Sequence, residues 1–463
     1  MELRRRRWLM IAALFLLVGC SDEPDDPAQE DDPDAGVEQD DDAGDDAGAA
    51  DAEDDAADPV DPDDDDAAGL FITDELLDRA IDRSSSDQQP FASSYNIQAG
   101  RAESGLDFQA DPFVKDDITD IEFGWCDDEE GTLSDATSRL EEQGDVIRTL
   151  AMQYALSDET EYADHAVDAL VDWANEHTPV NIYDFDPDFA DASIEGQTED
   201  FCSERPWNFA LDAMWQAYGL INFADAYLLL VNNDYELSQD DEEAIETLLL
   251  DLTEAVNSSF RAWTEWADAN SESGSYERYR ADNHLSWSLA GLLAGAAALG
   301  DDELAAYVLD GGSWEDSRGG AYENPSYIRD VIDRTIENDG DEIGRFYEEK
   351  IERDPPVGYS FFHLWALEIV AQIAAVHFDD DIWSYTGEGA GLYDAYQRYS
   401  DFVLGERDSP RPDQDGDMEG HSWHYELAYH HFGDERFRQV IEIDDRQSFI
   451  VQSFGPVALL FGE

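Results

Sequence analysis

From about residue 70 onward, apolar positions mostly return every three or four residues, the period of a helix with one buried face. Leu140, Ile147, Leu150 and Tyr154 share such a face, as do Ala163, Ala166, Leu170 and Trp173. The stretch "LSQDDEEAIETLLLDLTEAVNSSFRAWTEW" opens on Ser238 followed by acids, a capping residue and then charges that suit the positive end of a helix dipole. Further helices are predicted at 208–231, 284–299, 302–309, 324–337, 359–377 and 389–404, the last Gly-rich at its start and ending before Gly405. Strand-like alternation persists only in "FIVQSFGPVALLF" near the end. The pattern predicts a mainly helical domain of paired amphipathic helices, built as a solenoid or a closed ring of hairpins. No fixed repeat period occurs, which argues against a regular solenoid.

The first residues break this pattern twice. "MELRRRRWLMIAALFLLVGC" has a basic start at Arg4 to Arg7, an apolar run from Trp8 to Val18, and then Gly19-Cys20. The run is shorter than the roughly 20 residues of a membrane span, so residues 1–20 read as a secretory signal. Its ending resembles the lipobox of bacterial lipoproteins. That resemblance implies a lipid on Cys20, sorting to the outer membrane through Ser21, display on its periplasmic or outer face, and membrane contact through the lipid alone. Residues 21–68 are Asp, Ala, Glu, Gly and Pro with almost nothing apolar, an acidic linker that cannot bury enough surface to order itself. The helical domain then occupies 69–463.

Charge adds a habitat and removes a partner. The formal net charge is −87, of which roughly −66 stays on the chain beyond the linker. Lysine is nearly absent, with only Lys115 and Lys350. Such a surface suits a salt-rich medium, where screening shortens to about 3 Å at 1 M salt. It disfavours nucleic acid. Two further cysteines, Cys126 and Cys202, are candidates for one disulfide in an exported protein. Twelve Trp and twenty Tyr suit core packing or sugar stacking.

Chemistry enters at "RYRADNHLSWSL", where Asp282, Asn283 and His284 precede an apolar helix that needs only one cap. The excess could be polar residues of a first turn. Alternatively, Asn283 and His284 project into a cleft at a helix start, where free backbone N–H groups favour an anion. A second site, "IERDPPVGYSFFHLWAL", sets Arg353 six residues before Tyr359 at the head of another apolar helix. A surface Arg and an aromatic staple would also explain it. The loop "DQDGDMEG", with Asp413, Asp415, Asp417 and Glu419, has calcium-like spacing but lacks the full twelve-residue pattern, and no metal is expected there.

Together, "DNH" at 282–284, "NDG" at 338–340, Arg353 and "GYSFFHLWAL" at 358–367 resemble the alginate lyase family of helical-toroid polysaccharide lyases. That family carries Asn-Asn-His at a helix start and, later, Asp-Gly, an Arg and a Tyr opening an apolar helix. "FRAWTEWADANSES" and "WHYELAYHHFGDERF" are similar to its flanking segments, so the likeness spans about 140–460. Asp282 departs from the usual first Asn, and 341–350 looks altered. The resemblance implies an all-α toroid of helical hairpins, a monomer, no cofactor, and an acidic polysaccharide as partner. It implies a catalytic set of Asn283, His284, Arg353 and Tyr359. Arg278, Arg280, His363, His421 and Trp423 would contact substrate.

These residue types suit β-elimination from a uronate. Asn283 and Arg353 would neutralise the carboxylate beside C5, with His284 adding a hydrogen bond or acting as base. Tyr359, favoured as phenolate by a nearby Arg, would act as acid/base. In β-D-mannuronate and β-D-glucuronate the C5 proton and O4 share a face, so one Tyr can serve both. α-L-Guluronate or galacturonate would need His284 as base and Tyr359 as acid. Two other readings stand beside this one: an inverting glycoside hydrolase with two carboxylates about 6.5–9.5 Å apart, and a glycan-binding surface lipoprotein without catalysis.

Overall fold

A computed structural model describes residues 67–112, 133–177, 179, 205–269, 280, 282–316, 321–324, 326–351, 353, 355–387, 389–415, 418–443, 446 and 450–462. The architecture is all-α, a toroid of helical hairpins. Its helices are α1 (Asp74–Ser84), α2 (Phe91–Gly105), α3 (Leu133–Ser157), α4 (Thr160–Glu176), α5 (Arg205–Val231), α6 (Gln239–Ala269), α7 (Asn283–Leu299) and α8 (Asp302–Asp310). A short antiparallel hairpin of β1 (Ser313–Glu315) and β2 (Ala321–Glu323) follows, with Trp314 opposite Tyr322. Then come α9 (Ile328–Thr335), α10 (Tyr347–Lys350), α11 (Pro356–His377), α12 (Leu392–Val403), α13 (His424–Phe432), α14 (Glu435–Ile441) and α15 (Val457–Leu460).

Consecutive helices pair as hairpins, α3 with α4, α5 with α6 and α7 with α8. The first members also lie side by side, α3 on α5, α5 on α7 and α7 on α11. Close approach in this inner layer depends on missing side chains. A Cβ on Gly219 would sit 2.0 Å from Leu140, and one on Gly291 would sit 2.5 Å from Ala217. These glycines are worth their helix-propensity cost of about 1 kcal/mol each because they let α5 reach both neighbours.

α7 and α11 are apolar all round because both faces are covered, as expected of helices inside a larger protein. Among the described residues α11 is the one helix long and apolar enough to cross a membrane, and 72% of its apolar window is buried in the protein. This burial makes the two helices rigid mounts for whatever their first turns carry.

The first described residues are among the most buried. Leu70 N donates to Asp225 Oδ1 (2.9 Å), and Asn233 and Gln372 side chains donate to the carbonyls of Ala68 and Phe71 (2.8 Å each). Arg148 pairs with Asp225 at 3.3 Å and donates to Ser453 O, joining this segment to the C-terminal one.

Two expectations need correction. "FIVQSFGPVALLF" is not a strand: Val451 and Gly455 form an isolated bridge, Gly455 turns with φ 74°, and Pro456 leads into α15. The helix expected over 324–337 is shorter, because Asn324 Oδ1 accepts from Ser326 N in a tight turn and Tyr327 is still extended before α9.

Candidate active site

The start of α7 shows how three polar residues in a row are used. Asp282 is extended (φ −87°, ψ 146°) and its Oδ1 accepts from His284 N at 2.9 Å, which is the cap. The same oxygen meets His284 Nδ1. Its other oxygen accepts from Arg353 Nη1 at 3.3 Å. The backbone N–H of Asn283 donates to Glu348 Oε1 at 3.1 Å. Protein carboxylates therefore already occupy the N–H groups of Asn283 and His284, and the expectation that these groups would receive a substrate anion is corrected. What Asn283 keeps for an outside acceptor is its side chain.

That side chain is oriented by arginine. Arg353 Nη1 donates to Asn283 Oδ1 at 3.1 Å. A guanidinium has no acceptor, so the amide must present its oxygen there and turn its NH₂ end away. Asn283 Nδ2 is buried and has no hydrogen-bond partner among the described residues. A buried unpaired donor costs about 1–3 kcal/mol, and a ligand acceptor would relieve that cost.

Arg353 also reaches the phenol. Its Cζ lies 3.9 Å from the centre of the Tyr359 ring, which is half-buried in the first turn of α11. This turn is held from outside the helix: Asp415 Oδ1 accepts from both Val357 N and Gly358 N at 2.9 Å. Asp415, part of the calcium-like loop, is thus used as a cap for α11, while Asp417 lies outside the described residues. Among the described residues no cluster of three or more His, Cys, Asp or Glu has the geometry to hold a metal.

Burial alone would raise Asp282, but His284 and Arg353 outweigh it and hold the carboxyl well below the usual range. The neighbouring phenol of Tyr218 is pushed well above its ordinary value by burial, Glu141 and Tyr359, so it stays protonated. Glu141 is itself raised to about 7, mainly by burial. Aromatic rings continue from there: Tyr218 lies 4.4 Å from Trp287, and Trp287 lies 5.1 Å from both Phe362 and Trp365. Sequence reasoning did not single out Tyr218, Phe362 or Trp365. For Phe362, the available signal was its position one turn after Tyr359.

The remaining expected contacts divide. His421 is half-buried and stacks on Phe361 at 4.3 Å; Trp423, also half-buried, stands 5.5 Å from Trp365. His363 is corrected: it is 0% exposed, with Nδ1 2.9 Å from Glu348 Oε1 and Nε2 2.6 Å from Ser286 Oγ, so both ring nitrogens are used inside the protein. Arg280 is 3% exposed and lies 3.6 Å from Asp330. Arg278, Cys20, Cys126 and Cys202 lie outside the described residues.

A family model described as Alginate lyase matches residues 98–409. No curated protein matches the chain. Among solved structures, the apo form of a histidine-to-alanine variant of alginate lyase A1-III is similar, with TM-score 0.50 and 12% identity over 86% of this chain and 96% of that one. So is alginate lyase A1-III from Sphingomonas species A1, with TM-score 0.49 and 13% identity over the same shares.

Proposed function

This chain belongs to the alginate lyase family of polysaccharide lyases, and we propose that it cleaves a uronate polymer, polymannuronate or glucuronan, by syn β-elimination at Asn283, His284, Arg353 and Tyr359. The observation that carries the reading is the Asn283 amide, locked by Arg353 so that its buried NH₂ end lacks an acceptor. A uronate carboxylate is an acceptor of the right charge for Asn283 and Arg353 together.

Elimination requires loss of the C5 proton while the adjacent carboxylate takes up more negative charge. Donors already aimed at that carboxylate stabilise the charge without reorganising, and removing one donor of this kind costs about a hundred- to a thousandfold in rate. Tyr359 takes the C5 proton and returns it to O4 as the bond to the leaving sugar breaks. Arg353 over its ring favours the negative charge that this role places on the phenol. Both transfers use one face of the sugar, which is the arrangement of β-D-mannuronate and β-D-glucuronate. His284, fixed by Asp282, adds a hydrogen bond near the reacting carboxylate.

The test is incubation with polymannuronate, glucuronan and polyguluronate while following the near-ultraviolet band of the 4,5-unsaturated product. Signal on the first two and little on the third is expected. Tyr359→Phe should lower kcat by at least about a thousandfold and leave polymer binding intact. Saturated products would overturn the elimination chemistry, and an active Tyr359→Phe would remove Tyr359 from its role.

A further inference from the structure

We propose that Glu348 is a positioning residue for this elimination, holding Asn283 and Arg353 in register from the side away from the substrate; the proposal rests on the roles given above to that pair. Glu348 is 1% exposed and makes three connections. Its Oε1 accepts the backbone N–H of Asn283 at 3.1 Å. The same oxygen takes His363 Nδ1 at 2.9 Å, and His363 Nε2 in turn meets Ser286 Oγ, one turn into α7. Its backbone carbonyl accepts from Arg353 N at 2.9 Å, closing the turn that presents the guanidinium. One residue therefore ties the start of α7, the body of α11 and the Arg353 turn together.

The neighbouring Glu349 shows that this is not a general feature of the turn. Glu349 faces the other way, accepting two bonds from Arg398 and one from Tyr399 Oη. Of the two, it is Glu348 that reaches Asn283 and the Arg353 turn. A donor displaced by about 1 Å loses much of its value to a transition state, so misplacement should appear in kcat more than in KM.

Both side-chain bonds use Oε1, and Oε2 is buried without a partner. The required feature is an oxygen at full glutamate reach, which gives a discriminating pair of variants. Glu348→Gln keeps that oxygen and should retain kcat within about threefold. Glu348→Asp keeps the charge but falls one methylene short, and should lose at least about tenfold in kcat with KM within about threefold. The double variant with Asn283→Ala completes the test: Glu348→Asp should then cost less than about twofold beyond Asn283→Ala alone, because its effect passes through Asn283.

Kinetics are read alongside thermal unfolding of each variant. Wild-type kcat in a folded Glu348→Asp overturns the proposal. So does a Glu348→Gln as impaired as the Asp variant at equal melting temperature, or a penalty that persists undiminished with Asn283→Ala. If Glu348→Asp does not fold, the Gln variant decides alone: full activity supports the proposal and a large loss overturns it. Wild-type activity in Asn283→Ala would instead remove the role given to Asn283, and absence of elimination by the unmodified protein would remove the reaction, so each failure is separate.

Discussion

Two buried carboxylate–histidine pairs in this molecule share residue types and have opposite electrostatics. At the start of α7, Asp282 meets His284 and Arg353, and its carboxyl is held well below the usual range. Midway along α11, Glu368 lies 2.8 Å from His424 Nδ1 and accepts from Tyr396 Oη at 2.5 Å, with no arginine paired to it among the described residues. There burial pushes the Glu368 carboxyl well above its ordinary value and the His424 imidazole well below its own. The difference comes from position. A helix start supplies backbone N–H groups and leaves room for a guanidinium, whereas the middle of a buried helix has its N–H groups already bonded. A carboxylate stays charged where the fold stabilises the charge.

The largest test of this contrast is Arg353→Ala. It would leave the Asp282 charge buried without the guanidinium that faces it, and breaking such a pair destabilises by about 3–5 kcal/mol. Turnover should fall about a hundred- to a thousandfold in the fraction that remains folded. Urea unfolding checks the first effect and the product band the second. An unchanged unfolding midpoint would show that Arg353 does not balance Asp282.

A second pair of variants separates the two sites by activity. Asp282→Asn keeps a cap but removes the carboxylate that faces Arg353 and His284, so stability should fall by about 3 kcal/mol, the low end for breaking a buried pair. In the folded protein kcat should also fall about tenfold as His284 loses the carboxylate that fixes its ring. Glu368→Gln should leave kcat and KM at wild-type values, with a stability loss of about 1–2 kcal/mol from weakened buried hydrogen bonds. Steady-state kinetics and chemical denaturation of both variants decide the matter. Loss of activity in Glu368→Gln at full folding would erase the functional distinction between the two pairs.

What the sequence revealed follows the same division between local and distant causes. α7 and α11 were legible because each is an uninterrupted apolar run with a boundary written beside it, Asp282 and Gly300 for the first and the Pro355-Pro356 step for the second. Asn283, His284, Arg353 and Tyr359 stood out because they crowd those boundaries. The C-terminal alternation misled because a turn at Gly455 interrupts it after a few residues. His363 misled because it is one turn beyond Tyr359, yet its ring packs at 4.9 Å against Phe346 and bonds Glu348. Glu348 left no sign at all: its partner Asn283 is 65 positions away, and an acid among so many acids does not announce a contact.

The finest test concerns protons, and it separates the pairs without touching the site. In the native protein Glu368 and His424 hold one proton between them, on whichever partner it resides. An unfolded chain, with ordinary values of 4.5 and 6.5, also holds one proton on these two groups between those limits. Stability contributed by this pair is therefore flat from about pH 4.5 to 6.5. Above 6.5 the unfolded groups release their proton while the native pair keeps it, so stability falls as pH rises. Below 4.5 the unfolded groups hold two protons to the native one, and stability falls again. Asp282 differs: its folded value is depressed from 3.8, so its contribution is complete above that value and is lost only as pH falls below it. Glu368→Gln leaves His424 alone to titrate, and burial keeps it neutral, so the variant gains stability as pH rises to about 6.5 and is level above. Stability of the wild type relative to Glu368→Gln across pH 4 to 8, followed by melting temperature, should therefore fall throughout the range above about 4.5, with a limiting slope near 1.4 kcal/mol per pH unit, and above 6.5 the wild type alone softens. Asp282→Asn should run below the wild type and parallel to it throughout that range, and approach it only in more acid solution. A Glu368→Gln profile parallel to the wild type above pH 6.5 would mean that the core pair does not retain its proton.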